Sequence, residues 1–472
     1  MRLTPTSGVL SLISLSLGAT IPSHESQNAL AFAYTYGYSL YAYGNVAKPI
    51  LREIPLKPNI NLPDPEPNEP GGVGVVRPNA DTMYSILFID LSSDDIVVNI
   101  PEMPQDRYWV FPVCTPYGDN LINIGNLGVS KPGEYLIRHD PGNYGLETEN
   151  IPDGFAGVIK YPMAYGLVNS RILTDRSEED VKIVQKLQLG FNVSRTIPRP
   201  GLPIAPPLDL TMFTKPEYND SNISTYYEAV MKVAAALAPY NPPYVTSDRD
   251  WVSAELRKAG FNNGTFTQPR GSNLTAAVEL ANKTSLAFMD KPGVRQDVGN
   301  DWFIVSEGYI GKFDSHYEAR YQIAATAYLA LDPSESVYPF HEGDLVVEEG
   351  KSIVFTFPEP PRIKDGGFWS LTVYGPDQDL VPNDMEKYMV GDRSNLTFPD
   401  GTPVQQGGHR EFQVLLQASD IEPPANWTAN WLPITPGGAT ISVTLRWYGA
   451  EEYMVNGSYV HPQISTIDAI RI

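Results

Sequence analysis

The stretch from Arg77 to Asn120 constrains this 472-residue chain more than any other. It reads RPNADTMYSILFIDLSSDDIVVNIPEMPQDRYWVFPVCTPYGDN. A rigid polar turn, Arg77-Pro78-Asn79-Ala80-Asp81-Thr82, opens it. Three apolar runs follow, over residues 83–89, 96–100 and 107–113, each bounded by turn residues. Runs of that length between such turns predict β-strands. A second polar turn, Tyr117-Gly118-Asp119-Asn120, closes the stretch. Polar clusters at strand ends are where a β scaffold holds chemistry, because rigid strands fix the positions of loop side chains.

The same texture continues to Thr174, with short apolar runs broken by Gly, Pro and Asn. It predicts a β-sandwich over roughly residues 75–174. Ahead of it, residues 27–46 carry Tyr34, Tyr38 and Tyr41, and Tyr36, Leu40 and Tyr43, at helical spacing. Tyrosines on several faces of one helix imply packing on more than one side, as core residues with hydroxyls bonded at the rim or with one hydroxyl facing a ligand. Residues 49–74 hold seven prolines beginning with Pro49 and read as loop.

After Thr174 the pattern changes. Ser177-Glu178-Glu179-Asp180 resembles a capping box before a helix to about Phe191. Further helices are predicted at 224–238, 248–259, 275–289 and 317–331, with Gly260 as a C-terminal stop. Strands return at 352–357, 368–374, 412–416 and 440–447. The predicted architecture is mainly β and multi-domain. An N-terminal helix plus β-sandwich domain spans 21–174, a mainly helical region 175–333, and a jelly-roll-like β-sandwich 334–472.

Residues 1–20 read as a secretory signal peptide: Arg2, a serine-diluted apolar run, then small residues for cleavage. The run is too short to span a bilayer, and no other stretch is long enough. Nine Asn-x-Ser/Thr sequons accompany it, at Asn192, Asn219, Asn222, Asn263, Asn273, Asn282, Asn395, Asn426 and Asn456. The expectation is a secreted glycoprotein. Cys114 is the one cysteine, so no internal disulfide forms, and its apolar strand predicts a buried, inert thiol. A net charge of −21 argues against nucleic acid or an anionic membrane as partner.

The six histidines show no metal-binding spacing, and no phosphate loop, dinucleotide fingerprint or Gly-x-Ser-x-Gly elbow is present. No metal and no cofactor are expected. The aromatic pool is large, with 27 Tyr, 17 Phe and 7 Trp, and suits an apolar pocket with polar tips at fixed points. Several polar residues have two readings. Asp81 and Asn79 either cap the turn through backbone hydrogen bonds or face a ligand, Asp81 as proton donor. Arg107 either pairs with Asp81 or Asp90 or binds substrate, and Asn120 is open in the same way. Trp302 is a ligand platform or a core residue. Trp369 and Tyr374 point to opposite faces of one strand, so at most one faces a common pocket. Arg446 binds an enolate or carboxylate oxygen, or forms an internal ion pair.

Pro78-Asn79, Asp81-Thr82, Tyr84, Asp90-Leu91-Ser92 and Arg107-Tyr108 together resemble the core motif of the family catalogued as domain of unknown function 1254. Phe368-Trp369-Ser370-Leu371-Thr372-Val373-Tyr374, Asn430-Trp431-Leu432-Pro433 and Leu445-Arg446-Trp447-Tyr448-Gly449 resemble its partner, domain of unknown function 1214. The chain departs from that second pattern at Lys387-Tyr388, where the family has Arg-Tyr. A lysine there weakens any bidentate contact. The resemblance implies two β-sandwich domains with a helical region between them. Secreted fungal members resemble hetero-Diels–Alderases that join a tropolone-derived ortho-quinone methide to a terpene such as humulene. That implies a cofactor-independent enzyme of secondary metabolism with apolar small-molecule substrates. Such a reaction needs reactants held in near-attack geometry and a hydrogen bond to the quinone-methide carbonyl. Forming the quinone methide from a benzylic alcohol loses water, with Asp81, Tyr84 or His341 as candidate acid. The alternatives are a non-catalytic sugar- or peptide-binding protein, and a hydrolase or lyase using the carboxylates.

Overall fold

Strand Thr82–Asp90 lies next to the short strand Leu62–Pro63 and pairs antiparallel along its whole length with Tyr165–Leu173. Trp109–Cys114 and Asn120–Gly125 complete this five-stranded sheet. Pro63 is tolerated because its strand is at the edge, where a missing N–H breaks no ladder. A second five-stranded sheet takes the order Asn192–Pro198, Asp94–Ile100, Gly133–His139, Gly157–Tyr161, Gly145–Glu147. The two sheets form the predicted N-terminal β-sandwich. Its last strand, Asn192–Pro198, comes after helix Glu178–Gly190, inside the segment the sequence reads as helical. Ser177 caps that helix, accepting from the Asp180 N–H as the capping pattern predicts. The computed structural model describes residues 24–71, 77–128, 131–218, 223–406 and 408–472, so the expected signal at 1–20 lies outside the described residues.

Helix His24–Glu53 packs against Ile223–Leu237, Arg249–Lys258, Leu274–Met289 and Tyr317–Ala327. It is the hub of the helical region, and its tyrosines sit between those helices: Tyr34 meets Tyr227 and Tyr321, and Tyr36 meets Tyr117 and Tyr317. The helix runs through Pro49, which the sequence reads as the start of a loop. Proline forfeits one backbone bond there, but the fully buried Ala47 anchors the preceding turn and the Ile54 N–H still reaches the Ile50 carbonyl at 2.9 Å.

The C-terminal sandwich packs an eight-stranded sheet, led by Ile363–Tyr374 and Ala439–Ala450, on a four-stranded sheet of Trp431–Ile434, Phe412–Ala418, Lys351–Phe357 and Gln463–Asp468. Side-chain alternation divides the two long strands cleanly. Trp369, Leu371, Val373, Ile441, Val443, Leu445 and Trp447 enter the sandwich core. Phe368, Ser370, Thr372, Tyr374, Arg446 and Tyr448 take the other face, where they meet the N-terminal domain. That sheet is therefore buried on both sides, and the second side builds the site. Among the described residues no helix is long and apolar enough to cross a membrane.

Candidate functional site

Three pieces of chain meet around a cavity of about 260 Å³. The first is the paired strands, where Tyr84 lies opposite Arg171 and Ile86 opposite Asn169 on one face. The second is a stripe of helix His24–Glu53, Tyr38, Ala42, Asn45 and Val46, at helical spacing. The third is Thr444 and Arg446 on the C-terminal sheet. The end of helix Tyr317–Ala327, with Ile310, Tyr338 and Phe340, closes the walls.

The polar network is laid out by the motif turn. The Asn79 Nδ2 donates to the Tyr448 hydroxyl at 2.7 Å, and its Oδ1 accepts from the Asp81 N–H at 2.6 Å. Arg171 Nη1 donates to the same Tyr448 hydroxyl at 3.3 Å, and Nη2 to the Leu329 carbonyl at 2.8 Å. Arg446 donates to Thr372 Oγ1 at 3.0 Å, the Tyr374 hydroxyl at 2.6 Å and the Arg77 carbonyl at 3.0 Å. Arg77 takes a left-handed φ of 54°, and its Nε reaches Gln378 Oε1 at 2.7 Å. The turn is thus stitched to the C-terminal domain at every residue that faces it.

Of the residues singled out by sequence, Asn79, Tyr84 and Arg446 line the cavity. Among the described residues Arg446 has no internal ion pair of the kind anticipated; its partners there are neutral oxygens. Tyr374 stands one step behind it, its hydroxyl donating to the Pro78 carbonyl at 2.9 Å. Asp81 does not face the cavity. It is fully buried, with Oδ2 accepting from Ser370 Oγ at 2.6 Å and Oδ1 held by Arg393 at 2.5 Å. It is an inter-domain anchor rather than a proton donor to a ligand. His341 follows the cavity-lining Phe340 and so takes the opposite face, its ring 5.3 Å from that of Trp302. Trp302 is a core residue whose Nε1 donates to the Pro462 carbonyl at 2.9 Å, and Trp369 is in the same core against Phe357 and Phe412.

Arg107 pairs with Asp180, not with Asp81 or Asp90, and donates to the Leu173 carbonyl at 2.6 Å. Helix Glu178–Gly190 brings that carboxylate back over the strand, a return the local sequence does not reveal. Asn120 ties its own turn to the helical region, accepting from the Asp332 N–H at 2.9 Å. Burial pushes the Cys114 thiol up to about 12, as an inert cysteine requires. Lys387 donates to the Thr428 and Ala429 carbonyls, and burial brings its ammonium down to about 8. Sequence reading missed Arg77 and Arg171 as cavity residues. Arg171 left one trace, a charged residue inside the otherwise apolar run GLVNSRIL.

The match to known proteins falls on the same two regions. Residues 61–195 match the model described as Protein of unknown function (DUF1254), and residues 342–452 that described as Protein of unknown function (DUF1214). The chain carries both domains, DUF1254 first and DUF1214 second. The DUF1254 match runs past helix Glu178–Gly190 and ends within strand Asn192–Pro198, in agreement with that strand's place in the N-terminal sandwich. The VPA0106 protein from Vibrio parahaemolyticus is 17% identical, with a TM-score of 0.63 over 94% of this chain and 100% of its own. It shares the fold. An uncharacterised protein from Burkholderia cenocepacia is 11% identical, with a TM-score of 0.42 over 93% of this chain and 89% of its own. No curated protein matches. In this frame the cavity lies between the DUF1254 and DUF1214 domains and takes its polar groups from both.

Of the nine sequons, Asn219 and Asn222 lie outside the described residues; the other seven asparagines are all exposed.

Proposed function

We propose that this chain is a secreted, cofactor-independent enzyme that holds an apolar small molecule in the cavity between its two β domains. The cavity itself carries the reading: it is a recessed pocket, partly open to solvent, walled by aromatic and aliphatic side chains and supplied with a few fixed hydrogen-bond donors. A sugar- or peptide-binding protein would instead present an open aromatic strip. Among the described residues the exposed large aromatics are Tyr144, in a loop, and Trp251, on helix Arg249–Lys258. Exposure of the seven described sequon asparagines supports a secretory route.

The reaction we propose is the hetero-Diels–Alder addition of a tropolone-derived ortho-quinone methide to a terpene such as humulene. One C–C and one C–O bond form, with no oxidant or reductant. The preceding dehydration of a benzylic alcohol calls for a proton donor at the leaving hydroxyl. Of the three groups considered, Asp81 is locked to Arg393 and His341 faces away, whereas Tyr84 lines the cavity. Tyr84 is our candidate acid. At about 260 Å³ the cavity is slightly smaller than common ligand pockets, which run roughly 300–1,000 Å³. It holds one reactant closely, so the reading requires its walls to part for the second.

The test is a product assay on the glycosylated chain with the benzylic alcohol precursor and humulene. We expect a faster reaction than in buffer and a single stereoisomer. Tyr84→Phe should lower the rate roughly 10²–10⁴-fold from the alcohol, the usual worth of general acid catalysis. It should lower it far less from a pre-formed quinone methide. A wild-type rate equal to buffer sinks the proposal.

A further inference from the structure

We propose that one end of this cavity is an oxyanion site, built for a small molecule that carries a carboxylate or acidic enolate on an apolar body. This rests on the cavity being the ligand site proposed above, and adds the charge of what it takes.

Three arginines are almost wholly buried: Arg171, Arg320 and Arg446, at 6%, 1% and 5% exposure. A buried charge is costly unless it is paired and hydrogen-bonded. Arg320 obeys that rule, 3.9 Å from Asp119. The less buried Arg107 and Arg393 obey it too, with Asp180 and Asp81. Arg171 and Arg446 do not. Among the described residues neither has a carboxylate at ion-pairing distance; both are held by hydroxyls and carbonyls. Both line the cavity. Carboxylates are not scarce in this chain, with 55 acidic residues against 34 basic ones.

The Arg171 Nε is buried without a partner, as are those of Arg107 and Arg320, so it is the missing carboxylate that sets Arg171 apart. The half-buried Arg77 adds a third guanidinium to the lining, and its carbonyl is one of the three acceptors that hold Arg446. Two carboxyls act on these arginines from further away. Asp344 acts on Arg77. Glu335 acts on Arg171 from beyond ion-pairing distance; it is engaged by the Tyr108 hydroxyl, and burial pushes it up to about 7, so at pH 7 it is about half ionised and offsets only part of the charge. Guanidinium forks match the two oxygens of a carboxylate or a delocalised enolate. Ala42, Val46, Ile86, Ile310 and Phe340 supply the apolar walls for the rest of the molecule.

The experiment is isothermal titration calorimetry on the full glycosylated chain at pH 7, with benzoate and cinnamate against benzamide and cinnamamide. These pairs match in shape and differ in charge. We expect each carboxylate to bind at least roughly tenfold more tightly than its amide, the scale of one charge-assisted hydrogen bond. Arg171→Leu should remove that preference, and Arg77→Gln should reduce it several-fold. Should Arg171→Leu fail to fold, Arg77→Gln alone decides, because its side chain is only half buried. Equal affinities for acid and amide, no binding of either acid, or an unchanged preference in the variants overturns the oxyanion site. The cycloaddition assay separates the two proposals. Carboxylate preference without any cycloadduct keeps the anion site and removes the pericyclic reading. Cycloadduct formation without carboxylate preference does the reverse.

Discussion

Glu335 shows how burial can overrule favourable neighbours. The Tyr108 hydroxyl donates to it at 2.7 Å and Arg171 lies within electrostatic reach, and both favour the carboxylate. Burial still pushes the group up to about 7. The folded chain therefore holds a proton between about pH 4.5 and 7 that the unfolded chain has already released. Stability from this group is greatest at the acid end of that window and falls as pH rises through it, by roughly 3 kcal/mol in all. Glu335→Gln keeps an acceptor for Tyr108 and removes the titration. We expect wild type and variant to match near pH 5 in urea unfolding, and the variant to be the more stable at pH 8. Parallel stability curves across that range would show that Glu335 is ionised throughout. The same physics explains why Asp81 misled a reading from sequence: a carboxyl in a polar turn looks equally suited to chemistry or to anchoring. The choice was made by Ser370 and Arg393, 289 and 312 residues away.

The elements themselves were largely legible, because their causes are local. Alternation, turn residues and the Ser177 cap located the long strands of both sandwiches and most helices between them, but not strands Asn192–Pro198 and Trp302–Val305, which fall inside the segment read as helical, nor Asn120–Gly125 and Gln463–Asp468. Alternation also foretold that Trp369 and Tyr374 would part, one to the core and one to the domain interface. What stayed hidden was which elements meet: the contact of Asn79 with Tyr448 spans 369 positions and leaves no periodic trace. Helix His24–Glu53 was visible as a helix, but its role as hub depends on glycines whose function only packing reveals. A Cβ on Gly37 would lie 2.4 Å from the Cβ of Ala234 on helix Ile223–Leu237, and neither atom has a torsion with which to move aside. Alanine gains about 1 kcal/mol over glycine in a helix interior. Overpacking costs about 1–3 kcal/mol, and a contact this short lies at the high end. Gly37→Ala should therefore destabilise by about 1–2 kcal/mol in chemical denaturation. Adding Ala234→Gly should restore most of the loss, since the double variant only moves the methyl from one helix to the other. A single variant as stable as wild type would mean that the helices separate without cost.

At the scale of the whole molecule, the two sandwiches are joined through the motif turn, and the join is electrically asymmetric. Arg393 belongs to the C-terminal domain and touches two carboxyls, Asp81 at 2.5 Å and Asp392 at 3.4 Å. Asp81, fully buried, has Arg393 as its one cationic partner among the described residues, and otherwise the Ser370 hydroxyl. Removing either side of a buried pair strands the other, at about 3–5 kcal/mol when no substitute is at hand. The asymmetry sets the order. Asp81→Asn leaves Arg393 beside Asp392, whose carboxyl burial has pushed up to about 6 and which is largely ionised at pH 7.5. Arg393→Met leaves Asp81 with no counter-charge. We expect Arg393→Met to lose about 3–5 kcal/mol at pH 7.5 and Asp81→Asn clearly less, with the double variant more stable than Arg393→Met alone. Because the pair ties one domain to the other, calorimetry should show one cooperative transition for the wild type and two for Arg393→Met. Equal losses for the two single variants, or a wild type that already unfolds in two steps, would mean that the cavity between the domains is held closed by something other than this turn.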